Sequence, residues 1–156
     1  LAGLEGRSLH AVTLAVDTGM RSGEMRRLLW SDVDFEEGYL RVRDTKNRDF
    51  RSVPMTNRVA ALLNMLRRQM KGGPTLDVRV VPFSDLRWSI ERSATAAGLG
   101  HVHFHMFRHT FATRLRDRGV PLDRIKELLG HKTMVMTLRY AKVRPAQLRD
   151  AVAALN

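Results

Sequence analysis

The sequence predicts a mainly α fold with a small antiparallel β-sheet on one edge, an α+β domain. Three observations carry that expectation. The chain has 156 residues with a hydrophobic share of 44%, one domain's worth and enough to bury a core. Most of it places apolar residues at the three-and-four spacing of helices, and glycines close several of those runs. From Asp32 to Pro54 the spacing shifts to the two-residue period of strands. No internal repeat, low-complexity tract or linker divides the chain, so residues 1–156 read as a single domain.

The elements follow in order. An apolar helix is expected from about Leu9 to Val16, ending before Gly19. Ser22 suits the N-cap of a second, short helix with Glu24 in its first turn and Met25, Leu28 and Leu29 facing inward. Arg21 then lies just outside that cap, at a loop-to-helix junction where a side chain can point into a cleft. Leu40 and Val42 alternate with Tyr39, Arg41 and Arg43, a polar tip follows over residues 44–49, and Phe50 to Val53 returns. That is an antiparallel hairpin, with Lys46 in or beside its turn. Thr56 can cap a helix whose inner face is Val59, Leu62, Leu63, Leu66 and Met70, stopped by Gly72-Gly73-Pro74. Ser84 can cap the next, with Leu86, Ile90, Ala94 and Ala97 inside and Gly98 as its stop. A helix from about His105 to Arg118 buries Phe107, Phe111 and Leu115, and another runs from Pro121 to Leu129 before Gly130. Thr133 starts a short helix through Tyr140, and Pro145 opens a terminal one carrying Leu148, Val152 and Leu155.

Composition narrows the function classes. Lys plus Arg total 27 against 16 acidic residues, a net charge of +11 and a pI near 11.3. A surplus of that size attracts polyanions, and the basic residues are mostly arginine, whose planar fork suits phosphate better than loose attraction to lipid. Nucleic acid, DNA or RNA, is therefore the expected partner, and basicity alone says nothing about chemistry. No apolar run is long enough to span a bilayer, so no membrane role is expected, and residues 1–6 lack the pattern of a signal peptide. The absence of cysteine excludes disulfides and thiolate metal sites and fits a reducing cytoplasm.

Several side chains could carry chemistry. His105 and Arg108, three apart on one helix, can address the same point, with Phe107 and Phe111 on the buried side. A proton-transfer group beside a fixed cation is what phosphoryl chemistry requires. Taken alone, the same pair also describes two solvated side chains. His131 directly follows the glycine stop of its helix, which fixes its place; alone, it reads equally as a residue interacting with the helix dipole. Tyr140 stands nine residues later between Arg139 and Lys142, a basic setting that favours tyrosinate. His101, His103 and His105 alternate and could line one face of an extended metal site, but they lack a cysteine or nearby carboxylate partner. His103 and His109 read as supporting or packing residues.

Taken together with Arg21 and Lys46, these positions resemble the tyrosine recombinase, or phage integrase, family. The resemblance lies in Thr18-Gly19-Met20-Arg21 with Glu24 three residues on, and in Thr45-Lys46-Asn47 in the hairpin. It continues in His105-x-x-Arg108 followed by His109-Thr110-Phe111-Ala112-Thr113, and in Leu129-Gly130-His131 with Tyr140 nine residues later. It spans nearly the whole chain in the family's order. Two departures leave every catalytic group in place: Phe107 stands where leucine is frequent, and Ala141-Lys142 where a histidine often follows the tyrosine.

The resemblance implies a DNA breaking-rejoining enzyme that works without metal, ATP or other cofactor. Tyr140 would attack a backbone phosphorus to give a 3′-phosphotyrosyl bond. Arg21, Arg108 and His131 would hold the non-bridging oxygens, His105 would take the tyrosine proton and Lys46 would protonate the leaving 5′-oxygen. Glu24 would orient Arg21. It also implies a homo-tetramer on DNA, monomeric when free, in the cytoplasm of a prokaryotic cell or its mobile element. The family usually carries an N-terminal DNA-clamping domain, which this chain does not contain, so the chain reads as a piece of a longer protein or a minimal version. The rival readings are a type IB topoisomerase with the same chemistry, a non-catalytic DNA-binding module and a metal-dependent nuclease. The last would need clustered carboxylates, which the acidic residues near these motifs do not supply.

Overall fold

The computed structural model describes residues 6–43, 50–70, 72–73, 75–81, 87–141 and 152–153, with the side chains of Arg87 and Ser89 outside the description. Lys46, the Ser84 cap, Leu86, Pro74 and Lys142 lie outside the described residues, as does the terminal helix apart from Val152 and Ala153.

Helix α1 (Gly6–Thr18) starts three residues before the expected point and buries Ala11, Val12, Leu14 and Ala15. It packs on α5 (Phe104–Asp117) and α3 (Asn57–Gln69), so it occupies the centre of the helical layer. Asp17, at its last turn, is nearly buried and ties the three helices together. Arg58 of α3 donates to it at 2.6 and 2.7 Å, and Arg114 of α5 at 3.2 Å. Thr56 does cap α3, its Oγ1 accepting from the Val59 amide, and Val59 and Leu63 are the fully buried residues of that helix.

Helix α2 (Ser22–Arg27) differs from expectation by one residue at its start. Arg21, with extended backbone, is itself the N-cap, and Ser22 is the first helical residue. The cap is made from within the helix: Glu24 Oε2 accepts from the Arg21 amide at 2.7 Å. The carboxylate gives the Arg21 amide an acceptor, which makes Arg21 the residue that opens the helix.

The sheet has a third strand that the alternation did not reveal. β1 (Val33–Asp34) pairs antiparallel with β2 (Tyr39–Arg43), which pairs antiparallel with β3 (Phe50–Pro54). Two residues are too few to show a period. Along β2 the expected alternation holds, with Leu40 and Val42 buried and opposite Val53 and Arg51. Those inward residues join Leu14, Met20, Met25, Leu28, Trp30, Val59 and Leu63 in the main core.

Helix α4 (Arg87–Ala96) buries Ile90 against Ala11 and Val12 of α1, and its Ala94 is buried as well. Ala97, expected inside, is exposed because the helix ends at Ala96. Helix α6 (Leu122–Leu129) and α5 share a smaller core of Phe111, Ala112, Ile125 and Leu129, which also takes in Tyr140. Between α6 and Tyr140 the expected helix from Thr133 is one turn, α7 (Val135–Leu138). Among the described residues no helix is long and apolar enough to cross a membrane.

Gly19 closes α1 with φ +64°, and a Cβ there would run into the Phe111 ring and lie 3.0 Å from Leu129 Cδ2. Gly19 is thus where α1, α5 and α6 meet with no room for a side chain. Gly19→Ala is expected to combine left-handed strain with overpacking and cost about 2–4 kcal/mol, read as a lower urea midpoint with unchanged slope.

Candidate active site

The site is built around the C-terminus of α6. A helix leaves its last carbonyls without intrahelical partners and concentrates partial negative charge there. Gly130 turns the chain with φ +62°, and the amides of Gly130 and His131 return to the Glu127 and Lys126 carbonyls. The next three carbonyls go to three arginines from three other elements. Arg51 Nε of β3 donates to Leu128 O at 2.9 Å, Arg108 of α5 donates to Leu129 O, and Arg21 donates to Gly130 O at 3.3 Å. The guanidinium of Arg108 also donates to Gly19 O at 2.7 Å. A Cβ at Gly130 would lie 2.9 Å from Arg51 Nη1 and push that guanidinium aside.

Glu24 is the buried carboxylate of this arrangement. It accepts from Arg51 at 3.0 and 2.9 Å and from the Arg21 guanidinium at 2.8 Å, so the Glu24 expected to orient Arg21 does contact it. Burial alone would push its carboxyl up; the hydrogen bonds and charge of Arg51, with Arg21 added, outweigh that and hold it at about 2. Arg108 is only 2% exposed, and burial together with the Arg21 charge lowers it to about 10, still a cation at neutral pH. Arg21, by contrast, keeps 42% of its side chain open to solvent.

His131 lies immediately after this capped terminus and is 8% exposed. Its Nδ1 is 2.9 Å from the hydroxyl of Thr137, itself fully buried on α7. Burial, then the charges of Arg108 and Arg21, lower His131 to about 4, so the ring is neutral at pH 7.

Tyr140 is 5% exposed, with its ring in the Phe111, Ile125 and Leu129 cluster. The basic setting does favour the tyrosinate, as expected, but burial outweighs it. Burial raises the phenol above its ordinary value, and the neighbouring Arg139 and Arg108 charges offset this incompletely. The hydroxyl lies 2.8 Å from His109 Nδ1, and His105 is edge-on to His109 with ring centroids 4.6 Å apart. His105 itself is exposed. Both histidines are lowered by burial first. Next come Arg108 for His105, and His105 and Arg139 for His109.

The fold thus gathers Arg21, Glu24, Arg108, His131 and Tyr140 about the α6 terminus, with His109 and His105 behind the tyrosine. Lys46 lies outside the described residues. Arg51 and Thr137 were missed by sequence reasoning: Arg51 stands two residues before Val53, on the same inner face of β3, a signal that went unused, while Thr137 looks like a helix filler. For His109 a signal existed, its four-residue spacing from His105 on one helix face. His101, His103 and His105 do not come together as ligands; His103 caps α5, and among the described residues no group of three or more His, Cys, Asp or Glu could hold a metal ion.

Because the folded carboxyl of Glu24 is depressed from 4.5 to about 2, its contribution is full above pH 4.5 and fades as pH falls toward 2. Between pH 6 and pH 3 the wild type is expected to lose about 2 kcal/mol more stability than Glu24→Gln, measured by urea unfolding at both pH values.

Known proteins resemble this chain along nearly all of its length. The profile of the phage integrase family matches residues 3–147. A XerC-like tyrosine recombinase of Caldanaerobacter subterraneus subsp. tengcongensis is 32% identical over 197 aligned positions, 98% of this chain and 50% of that protein. The tyrosine recombinase XerA of Pyrococcus furiosus is 32% identical over 93% of this chain and 53% of its own. This chain therefore spans about half the length of these relatives. Among solved structures, a XerA recombinase superposes with a TM-score of 0.74 at 29% identity, covering 97% of this chain and 57% of that one. The catalytic domain of bacteriophage HP1 integrase does so with 0.69 at 28% identity, covering 98% and 94%. With the family profile spanning nearly all of its length, this chain belongs to the phage integrase family, that of the tyrosine recombinases.

Proposed function

We propose that this chain is the catalytic domain of a site-specific DNA recombinase that cuts and rejoins strands through a covalent 3′-phosphotyrosyl bond at Tyr140. The observation that carries the reading is the α6 terminus: Arg21, Arg108 and His131 stand together there, and Tyr140 packs in the core that α5 and α6 share. Tyr140 Oη attacks a backbone phosphorus, its proton passes to the histidine pair on α5, and the P–O5′ bond breaks. Lys46 returns a proton to the departing 5′-oxygen. Arg21 and Arg108 offset the charge that builds on the non-bridging oxygens.

His131 adds a hydrogen bond to the same oxygens. If the Thr137 hydroxyl donates to Nδ1, the neutral ring carries its proton on Nε2, the tautomer that donates to phosphate. One phosphodiester is exchanged for one phosphotyrosyl ester, so rejoining by a 5′-hydroxyl needs no ATP. The three cationic and hydrogen-bonding groups supply the stabilisation that a metal would give elsewhere. Double-stranded DNA is the substrate, four copies on two duplexes form the working assembly, and further domains of the kind that make the relatives twice as long would clamp the DNA. The work is done in the cytoplasm of a prokaryotic cell.

The test is a suicide-substrate assay. The protein first selects a sequence from a random duplex library; a nicked duplex of that sequence is then incubated with it in EDTA and run on a denaturing gel. Wild type is expected to give a slower, protein-linked band, and Tyr140→Phe none. An adduct that persists in Tyr140→Phe, or DNA binding without any wild-type adduct, overturns the proposal.

A further inference from the structure

We propose that His109, rather than His105, is the group that accepts the proton of Tyr140, an inference that rests on the phosphotyrosyl reading above. Geometry carries it. His109 Nδ1 is 2.8 Å from Tyr140 Oη, hydrogen-bond distance to the atom that must lose its proton; Tyr140 is buried and His109 half-buried. His105 contacts His109 edge-on and is exposed. A general base must reach the proton it removes, and its acidity matters only after that.

The protonation state also suits the role. His109 is flanked by His103 at the α5 N-cap, by His105 and Arg108 on α5, and by Arg139 beside Tyr140. Burial and these neighbours keep it neutral at pH 7, with a ring nitrogen free to accept. The tyrosine, raised by burial, cannot supply the oxyanion unaided. In the step itself the Oη–H bond breaks and the proton moves to Nδ1 as Oη bonds to phosphorus and the P–O5′ bond opens. In the return step the Nδ1 proton goes back to the departing Tyr140 oxygen as the 5′-hydroxyl attacks, so His109 speeds both directions. Nδ1 must then be the unprotonated nitrogen of the resting ring, with the proton on Nε2.

Two measurements test this. In 15N NMR of the protein labelled at histidine, the His109 Nδ1 resonance is expected at the unprotonated position and should shift in Tyr140→Phe; a protonated Nδ1 overturns the proposal without touching the phosphotyrosyl reading. In single-turnover cleavage of the nicked duplex, His109→Asn keeps an amide near the Nδ1 position but cannot take a proton. It is expected to bind DNA normally and to form adduct about 100-fold or more slowly at pH 7. Wild-type rate should rise from the acid side and level off, with a midpoint below 6.5; in His109→Asn that plateau should vanish, the rate climbing through neutrality with the tyrosinate fraction. A His109→Asn rate and pH profile equal to wild type overturns the proposal. So does faster cleavage, which would make His109 a latch on the tyrosine. Failure of wild type itself to form adduct overturns instead the reading on which the inference rests.

Discussion

The structure depends on how the last turn of α6 is capped. Its three outermost carbonyls, Leu128, Leu129 and Gly130, each take a hydrogen bond from an arginine of a different element: β3, α5 and the α2 N-cap. Peptide carbonyls at a buried helix end are costly if left unpaired, and here they are paired only when the sheet, α5 and α2 are all in place. One helix terminus therefore registers three otherwise separate elements. Gly130 suits its left-handed turn, and a Cβ there would displace the Arg51 guanidinium that Leu128 and Glu24 hold.

That arrangement has an electrostatic consequence. Three guanidinium groups converge in a partly buried space, and Glu24 is embedded among them with two bidentate-type contacts to Arg51 and one to Arg21. The carboxylate and the helix terminus neutralise enough of the repulsion for the cations to coexist, while Arg21 stays open. The same cations act on the histidines. His131, His105 and His109 are all lowered, by burial first and by arginine or histidine charge next. The site thus combines permanent cations, which do not titrate near neutrality, with neutral imidazoles that can donate or accept a proton. This division of labour suits phosphoryl transfer, which needs charge stabilisation and proton transfer from different groups.

Tyr140 shows how two effects of opposite sign are decided by placement. Arg139 and Arg108 favour the tyrosinate, as the neighbouring basic residues suggested; burial among Phe111, Ile125 and Leu129 favours the phenol and is larger. Charge neighbours can be read from a sequence at short range, whereas desolvation depends on what packs over the ring. The sheet gives a parallel case: Leu40 and Val42 announced β2, but β1, two residues long, forms because β2 offers it an edge. Likewise Arg21 is the α2 cap because Glu24 captures its amide, a contact that residue preferences at the cap do not rank.

By itself, the sequence determined what is local and repetitive. The helical stretches follow from their three-and-four spacing, their ends from Thr56, Gly19, Gly98, Gly119 and Gly130, and the hairpin from alternation over 39–53. The order of Arg21, Lys46, His105, Arg108, His131 and Tyr140 was enough to indicate the family. Only the tertiary structure decided which residues meet. Arg51 reaches Leu128 across 77 positions, Arg21 reaches Gly130 across 109, and Tyr140 meets His109 across 31. Periodicity reports backbone geometry within a few turns. Contacts at those separations are set by how whole elements pack, and so are the burial that raises Tyr140 and the choice of His109 over His105 as its neighbour.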